Sequence, residues 1–258
     1  MAFFDVHCFS DTLGLTISFH VLLPQAERTG VIARREFPTL YLLHGLSDDH
    51  TMWMRRTSIE RYAAAKNLAV VVPAVARSYY QNMASGPKYW TFIGEELPAL
   101  CRSWFPLSAA REDNFAAGLS MGGYGALRLG LAYAKKFAAV ASFSGALDLA
   151  RLERDLGKTD VRIDRAEWTA IFGERGVAGT DANLFPLVER AAKSREPLPR
   201  IFISCGAEDS LLDGSRAFHT HLDRLGVAHT YEESPGTHEW GYWDRQIQRA
   251  LDWLPLRG

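Results

Sequence analysis

The chain has 258 residues, of which 47% are hydrophobic and 23% charged, with a formal net charge of −1. That balance suits a globular protein with a sizeable core, and the near-neutral charge offers no surface for nucleic acid or an anionic membrane. No apolar run reaches the length of a membrane span, no basic region followed by a long apolar stretch marks a secretory leader, and three scattered cysteines, Cys8, Cys101 and Cys205, point to a reducing, cytoplasmic setting.

Taken in chain order, residues 3–10 and 15–23 read as an antiparallel pair turning near Asp11-Thr12, and residues 25–37 as a polar loop. Residues 40–43 form a buried strand that runs into His44-Gly45-Leu46-Ser47. A helix over 52–66, a strand over 69–73, a loop over 77–90 and a helix over 93–104 follow. A short strand at 114–117 precedes a small-residue helix over 122–134 and a strand over 138–143. Residues 146–198 break the rhythm: they are charged, carry Gly157, Gly173, Gly176 and Gly179, and show short helical patterns only around 164–172 and 183–193. Such a stretch is either a cap inserted over a site or a solvated excursion. The apolar run 201–205 reads as a strand buried on both faces, with a helix starting near Ser210, a strand over 227–231, a turn-rich loop over 234–240 and a last helix over 241–254. Strands alternating with helices imply one α/β domain over 1–258, with a mostly parallel sheet covered on both faces.

Chemistry concentrates at Gly118-Leu119-Ser120-Met121-Gly122. Gly-x-Ser-x-Gly between a strand and a helix is the nucleophile elbow of α/β-hydrolases, in which side chains two residues either way would collide with neighbouring elements. A serine hydroxyl is a weak nucleophile at neutral pH, so a general base and an orienting acid must follow in the order Ser, Asp or Glu, His. Of the eight histidines, His238 alone lies in a late loop after a strand beyond the serine, which makes it the base. Asp209, just past a strand end, is the favoured acid over Asp148, Glu208 and Asp213, the last of which belongs to the following helix. Backbone N–H groups should stabilise the oxyanion: one from Met121, the other from Leu46, with Gly45 allowing the backbone to twist an amide inward. Trp53, Tyr89, Trp90, Tyr124 and Trp240 lie near these loops, and Trp53, Tyr124 and Trp240 are the expected substrate-binding aromatics. No His-x-x-x-His or Cys-x-x-Cys spacing occurs, so neither metal nor cofactor is expected.

The runs Leu42-Leu43-His44-Gly45-Leu46-Ser47, Gly118-Leu119-Ser120-Met121-Gly122-Gly123-Tyr124-Gly125, Ser142-Phe143-Ser144-Gly145-Ala146-Leu147, Cys205-Gly206-Ala207-Glu208-Asp209 and Gly236-Thr237-His238-Glu239-Trp240, with Trp53, closely resemble the esterase D family, nearest its bacterial tributyrin esterase branch. The resemblance runs from about residue 40 to 254. It implies an α/β-hydrolase fold and a cytoplasmic serine carboxylesterase acting on short acyl esters of small molecules. It also implies Ser120, Asp209 and His238 as triad and Leu46 and Met121 as oxyanion donors. S-formylglutathione hydrolases and feruloyl or acetylxylan esterases share the broad family, so a thioesterase or a sugar-ester esterase is the alternative. Phe3 and Phe4 leave self-association open.

Overall fold

Apolar residues alternate along the central strands, and the alternation divides the interior into two cores. In the computed structural model, which describes residues 1–25, 36–158 and 163–257, the strands are β1 (Ala2–Ser10), β2 (Leu15–Leu23), β3 (Thr39–Leu43), β4 (Ala69–Pro73), β5 (Asn114–Leu119), β6 (Ala139–Phe143), β7 (Arg200–Gly206) and β8 (Thr230–Ser234). They form one eight-stranded sheet in the order β1-β2-β4-β3-β5-β6-β7-β8. β1, β2 and β4 pair antiparallel, and every pair from β4–β3 to β7–β8 is parallel. Tyr41, Leu43, Val71, Ala116, Val140 and Ile203 face one core. Their neighbours Leu40, Leu42, Val70, Ala117, Ala141 and Phe202 face the other. This period-two split is what a sheet buried on both faces requires.

The second core is closed by α1 (Met52–Arg56), α2 (Ile59–Ala64) and α10 (Trp240–Trp253), through Trp53, Ile59, Trp243 and Ile247. The first is closed by α4 (Leu97–Trp104), α5 (Met121–Ala132), α7 (Arg165–Phe172), α8 (Leu184–Lys193) and α9 (Leu212–Arg224). Two further short helices, α3 (Tyr89–Thr91) and α6 (Leu149–Arg154), lie before α4 and after β6. Among the described residues no helix is long and apolar enough to cross a membrane.

Three elements differ from the sequence reading, each for a local reason. The helix expected over 52–66 is two helices, because Thr57 is extended (φ −136°, ψ 173°). Its hydroxyl donates to Trp53 O at 2.6 Å and accepts Ile59 N–H at 3.1 Å, competing with the helical ladder. The helix expected over 93–104 begins with a π-turn at Phe92–Glu96 before α4. Pro98 has no N–H for the Gly94 carbonyl, and the Lys136 ammonium donates to that oxygen instead, at 2.8 Å. The last strand lies at Thr230–Ser234 rather than 227–231, in register with Phe202–Gly206. It is an edge strand and tolerates Glu232 and Glu233, which pair with Arg249 and Arg216 from the flanking helices. The loop expected over 25–37 falls mostly outside the described residues.

Within 146–198, the two expected helices form with side-chain caps: Asp164 accepts from Glu167 N–H and Asn183 from Phe185 N–H. Helix α6 carried no recognised signal. Tyr79, at the start of the loop after β4, packs edge-on against Trp168, and Arg128 on α5 ties both segments to the body. Its guanidinium donates to Tyr80 O (2.9 Å) and Asp181 O (3.2 Å) and lies 3.7 Å from the Trp90 ring centroid. Arg128→Met keeps volume and removes both donors, leaving carbonyls unpaired; each such loss costs about 1–3 kcal/mol. Urea unfolding should show a loss of roughly 2–4 kcal/mol, and an unchanged midpoint would show that this guanidinium does not hold the two segments.

Candidate active site

All the candidate residues leave the C-terminal edge of the parallel strands, where α/β sheets gather their chemistry. Ser120 follows β5 and caps α5 with φ 54° and ψ −117°, a left-handed conformation costly for a non-glycine residue. Its neighbours hold it there. Ser120 N–H donates to Phe143 O at 2.9 Å, and Ser120 O accepts from Tyr124 N–H and Ala146 N–H, both at 3.1 Å. A Cβ on Gly118 would sit 2.5 Å from Gly122 backbone atoms, and one on Gly122 would strike the Leu43 carbonyl. Both glycines are therefore demanded by close approach, as the motif implies.

The serine hydroxyl ends a chain of hydrogen bonds. His238 Nε2 lies 3.0 Å from Ser120 Oγ, and His238 Nδ1 lies 2.9 and 3.1 Å from the two oxygens of Asp209. Asp209 is buried, which by itself would raise its pKa. Hydrogen bonds from His238, from Leu211 N–H (2.8 Å) and from the Ser144 hydroxyl overcome that and hold the carboxyl below its ordinary value. Ser144 in turn accepts from Trp243 Nε1–H at 3.1 Å, and the His238 ring stands edge-on to Trp243 at 4.9 Å. Neither Ser144 nor Trp243 was singled out from the sequence. Ser144 also has a positive φ of 47°, but nothing in Ser-Phe-Ser-Gly signals that.

The three other carboxylates are otherwise engaged. Asp148 caps α6 by accepting Arg151 N–H at 2.9 Å, and Asp213 pairs with the Arg151 guanidinium at 2.8 Å. Glu208 accepts Gly236 N–H at 2.7 Å and so ties the loop of Asp209 to the loop of His238.

The two amides expected to meet an oxyanion are both unspent: among the described residues, Leu46 N–H and Met121 N–H find no acceptor. His44 explains how the first is aimed. Its buried ring accepts Val75 N–H at Nε2 (3.1 Å), which leaves the proton on Nδ1 for donation to Gly45 O at 2.7 Å. The peptide is planar and trans, so pinning the Gly45 carbonyl on one side turns Leu46 N–H to the other. Gly45 itself has no positive φ, so the expected backbone twist is not why glycine is needed. A Cβ there would lie 2.7 Å from Leu119 Cδ1 and 2.9 Å from Asp48 Oδ2.

Of the three aromatics expected to bind substrate, two lie in the interior. Trp53 is fully buried in the second core with its Nε1–H on Leu43 O at 3.0 Å. Tyr124 is fully buried as well, its hydroxyl donating to Ala182 O and accepting from Gln81. Both aromatics are thus part of the interior, with no surface for a substrate. Trp240 is half-buried at the start of α10, edge-on to Trp53 and Trp243 at 5.1 and 5.3 Å. A small cleft of about 30 Å³ lies beside Ala146 and the Asp209 loop, lined by Gly145, Ala146, Leu147, Asp148, Arg151, Leu152, Ser210, Leu211, Asp213 and Gly214.

A sheet of this order, with a strained serine at the end of a central strand and a histidine and an aspartate in hydrogen-bonded line with it, defines a serine hydrolase of the α/β-hydrolase fold. Comparison with known proteins narrows this. Residues 10–254 match the esterase family described as "Putative esterase", and the chain belongs to that family. It is 33% identical over 221 residues to an acetyl esterase of Caldicellulosiruptor saccharolyticus, covering 84% of this chain and 82% of the relative. Its structure is similar to that of the fluorophosphonate-binding serine hydrolase FphF of Staphylococcus aureus, with a TM-score of 0.90 and 36% identity over 98% of both chains. An S-formylglutathione hydrolase of the same organism gives a TM-score of 0.88 and 36% identity, again over 98% of both chains. The protein is a carboxylic ester hydrolase of the serine type.

The buried His44 makes stability depend on pH in a defined way. Burial lowers its pKa from 6.5 to about 4, so between those values the unfolded chain binds a proton that the folded chain refuses. Stability is full above about pH 6.5 and is lost as pH falls toward 4, by roughly 3 kcal/mol for this group at 1.36 kcal/mol per pH unit. Denaturant titrations of the wild type and His44→Gln should show a shallower acid dependence in the variant. Parallel curves would remove His44 from this account.

Proposed function

We propose that the protein is a cytoplasmic serine carboxylesterase that cleaves short-chain acyl esters of small molecules through an acyl-enzyme intermediate. The observation that carries the reading is the line Ser120–His238–Asp209 on a strained elbow. Ser120 Oγ attacks the ester carbonyl carbon while His238 Nε2 takes its proton. The oxyanion forms against Leu46 and Met121 N–H. The tetrahedral adduct collapses, His238 protonates the leaving alcohol, and Ser120 stays acylated. Water then attacks the acyl carbon, His238 takes the water's proton and returns it to Ser120, and the carboxylic acid leaves. Asp209 keeps the proton on Nδ1 and stabilises the imidazolium. No metal or cofactor enters these steps. The three free cysteines Cys8, Cys101 and Cys205 support a reducing compartment.

Short acyl groups are supported by the likeness to an acetyl esterase, and we place the acyl chain in the small cleft beside Ala146, walled by Leu147, Leu152 and Leu211. The first part of the 146–198 segment contributes to that wall, so we assign it a role as cap. Each methylene buried gains about 0.8 kcal/mol, but overpacking beyond the cleft costs about 1–3 kcal/mol. Across 4-nitrophenyl esters, kcat/KM should peak between acetate and butyrate and fall by octanoate. A maximum at octanoate or longer would mean an open groove. Measured alongside, S-formylglutathione should be hydrolysed more slowly than the best oxygen ester; the reverse order would favour a thioesterase.

The triad roles are tested by substitution. Ser120→Ala, His238→Ala and Asp209→Asn should each lower kcat by about 10⁴-fold or more, and the Ser120/His238 double variant should be little worse than either single one, because the groups act as a unit. Ser144→Ala removes one hydrogen bond to Asp209 and should cost about tenfold in kcat with KM unchanged. Full activity in Asp209→Asn would move the acid elsewhere.

A further inference from the structure

A second group of titratable side chains stands away from Ser120, where the N-terminal hairpin meets the loop after β3. Asp5 on β1 is directly opposite His20 on β2, so the two side chains rise from the same face of the hairpin. His50 reaches them from the loop between β3 and α1. One donor atom from each of the three lies within 4.8 Å of the other two.

The spacing distinguishes this group from a hydrogen-bond network. His20 Nε2 is 3.5 Å and His50 Nε2 3.9 Å from the same oxygen, Asp5 Oδ1. Both are longer than a good hydrogen bond. Around a tetrahedral zinc ion with bonds of about 2.0–2.1 Å, ligand atoms stand about 3.3 Å apart, so the 3.5 and 3.9 Å to Asp5 Oδ1 already approach that spacing, and a cation would draw the three donor atoms in from within the 4.8 Å that spans them. His20 is only 6% exposed, and among the described residues neither it nor His50 makes a hydrogen bond; both Nδ1 atoms are buried without a partner. The nitrogens turned toward Asp5 are the two Nε2 atoms, neither of them spent on a hydrogen bond among the described residues, and a shared cation would use that nitrogen of each ring. On the solvent side His7 Nε2 lies 3.4 Å from Asp5 Oδ2, with its Nδ1 held by Ser18 Oγ at 2.8 Å. His7 lies outside the three-residue group, and a bound water would complete the tetrahedron.

The other such group, His219, Asp223 and His229, differs on this point. There His219 Nδ1 and His229 Nε2 are hydrogen-bonded at 2.7 Å, and His229 Nδ1 is bonded to Val227 O at 2.8 Å, so its nitrogens are already spent. Two imidazoles and one carboxylate form a borderline-soft donor set, suited to zinc and its transition-metal neighbours rather than to calcium or magnesium.

We propose that Asp5, His20 and His50 form a binding site for one divalent transition cation of the zinc class, which fastens the loop after β3 to the N-terminal hairpin. The site is separate from the ester chemistry and makes no bond to substrate. It matters to that chemistry by position: His50 closes the same loop that carries Leu46 N–H. A cation that binds the folded chain stabilises it by mass action.

The test uses the full chain without an affinity tag, stripped by a chelator and then dialysed. Zinc chloride is titrated in a calorimeter, cobalt chloride is followed by its visible absorption, and Tm is measured with and without zinc. The expected result is one equivalent of zinc, intense tetrahedral cobalt bands and a raised Tm. His50→Gln and Asp5→Asn should each weaken zinc binding at least about tenfold and remove the Tm shift, whereas His219→Gln should preserve both. The metal-free Tm of each variant, close to that of the metal-free wild type, establishes that it folds. No zinc uptake by the wild type, unchanged binding in His50→Gln and Asp5→Asn, or loss of binding in His219→Gln alone would overturn the proposal.

Discussion

The contact between Gly122 and the end of β3 is the constraint on which the site depends. A Cβ at Gly122 would strike the Leu43 carbonyl and lie 2.7 Å from His44 O. Because it has none, the first turn of α5 sits directly against the backbone of residues 43–44. That approach brings the Met121 amide, first in α5, toward the turn that carries the Leu46 amide. It also forces Ser120 into its left-handed conformation at the apex. The strain is offset by hydrogen bonds from the elbow to β6 and to Ala146, so it persists only while the surrounding sheet is intact.

From that contact outward the polar groups form a supporting layer. The neutral ring of His44 fixes one peptide plane and with it the direction of the next amide. Tyr80 donates its hydroxyl to His44 O at 2.9 Å, and Arg128 holds Tyr80 by its carbonyl. On the other side of the serine, Ser144 and Trp243 hold Asp209, and Glu208 joins the acid loop to the histidine loop. A general base is useful only within hydrogen-bond reach of the proton that it abstracts. The 3.0 Å between His238 and Ser120 is the outcome of these ties between loops distant in sequence.

How much of this the sequence disclosed follows from the range of the interactions. The elbow is legible because steric exclusion at Gly118 and Gly122 acts within one turn of chain. The parallel strands are legible because burial on both faces leaves continuous apolar runs. Asp209 and His238 are placed by strand order alone. What was not legible depends on long-range partners. Trp53 and Tyr124 look like pocket walls beside their motifs, yet their polar atoms find backbone carbonyls and their rings lie in the interior. The helix break at Thr57 turns on one hydroxyl choosing between water and Trp53 O. Ser144, and the meeting of Asp5, His20 and His50, have no spacing signature, since strand pairing and a loop rather than one helix face bring the residues together.

The central claim, that the elbow and its hydrogen-bonded line make Ser120 the nucleophile, is tested most directly by finding where an acyl or phosphonyl group becomes attached. The protein is treated with a fluorophosphonate, digested, and the modified peptide sequenced by mass spectrometry. The account predicts a single adduct on Ser120 that is absent in His238→Ala on the same timescale. An adduct on another residue, Ser144 included, or equally fast labelling of Ser120 without His238, would contradict it.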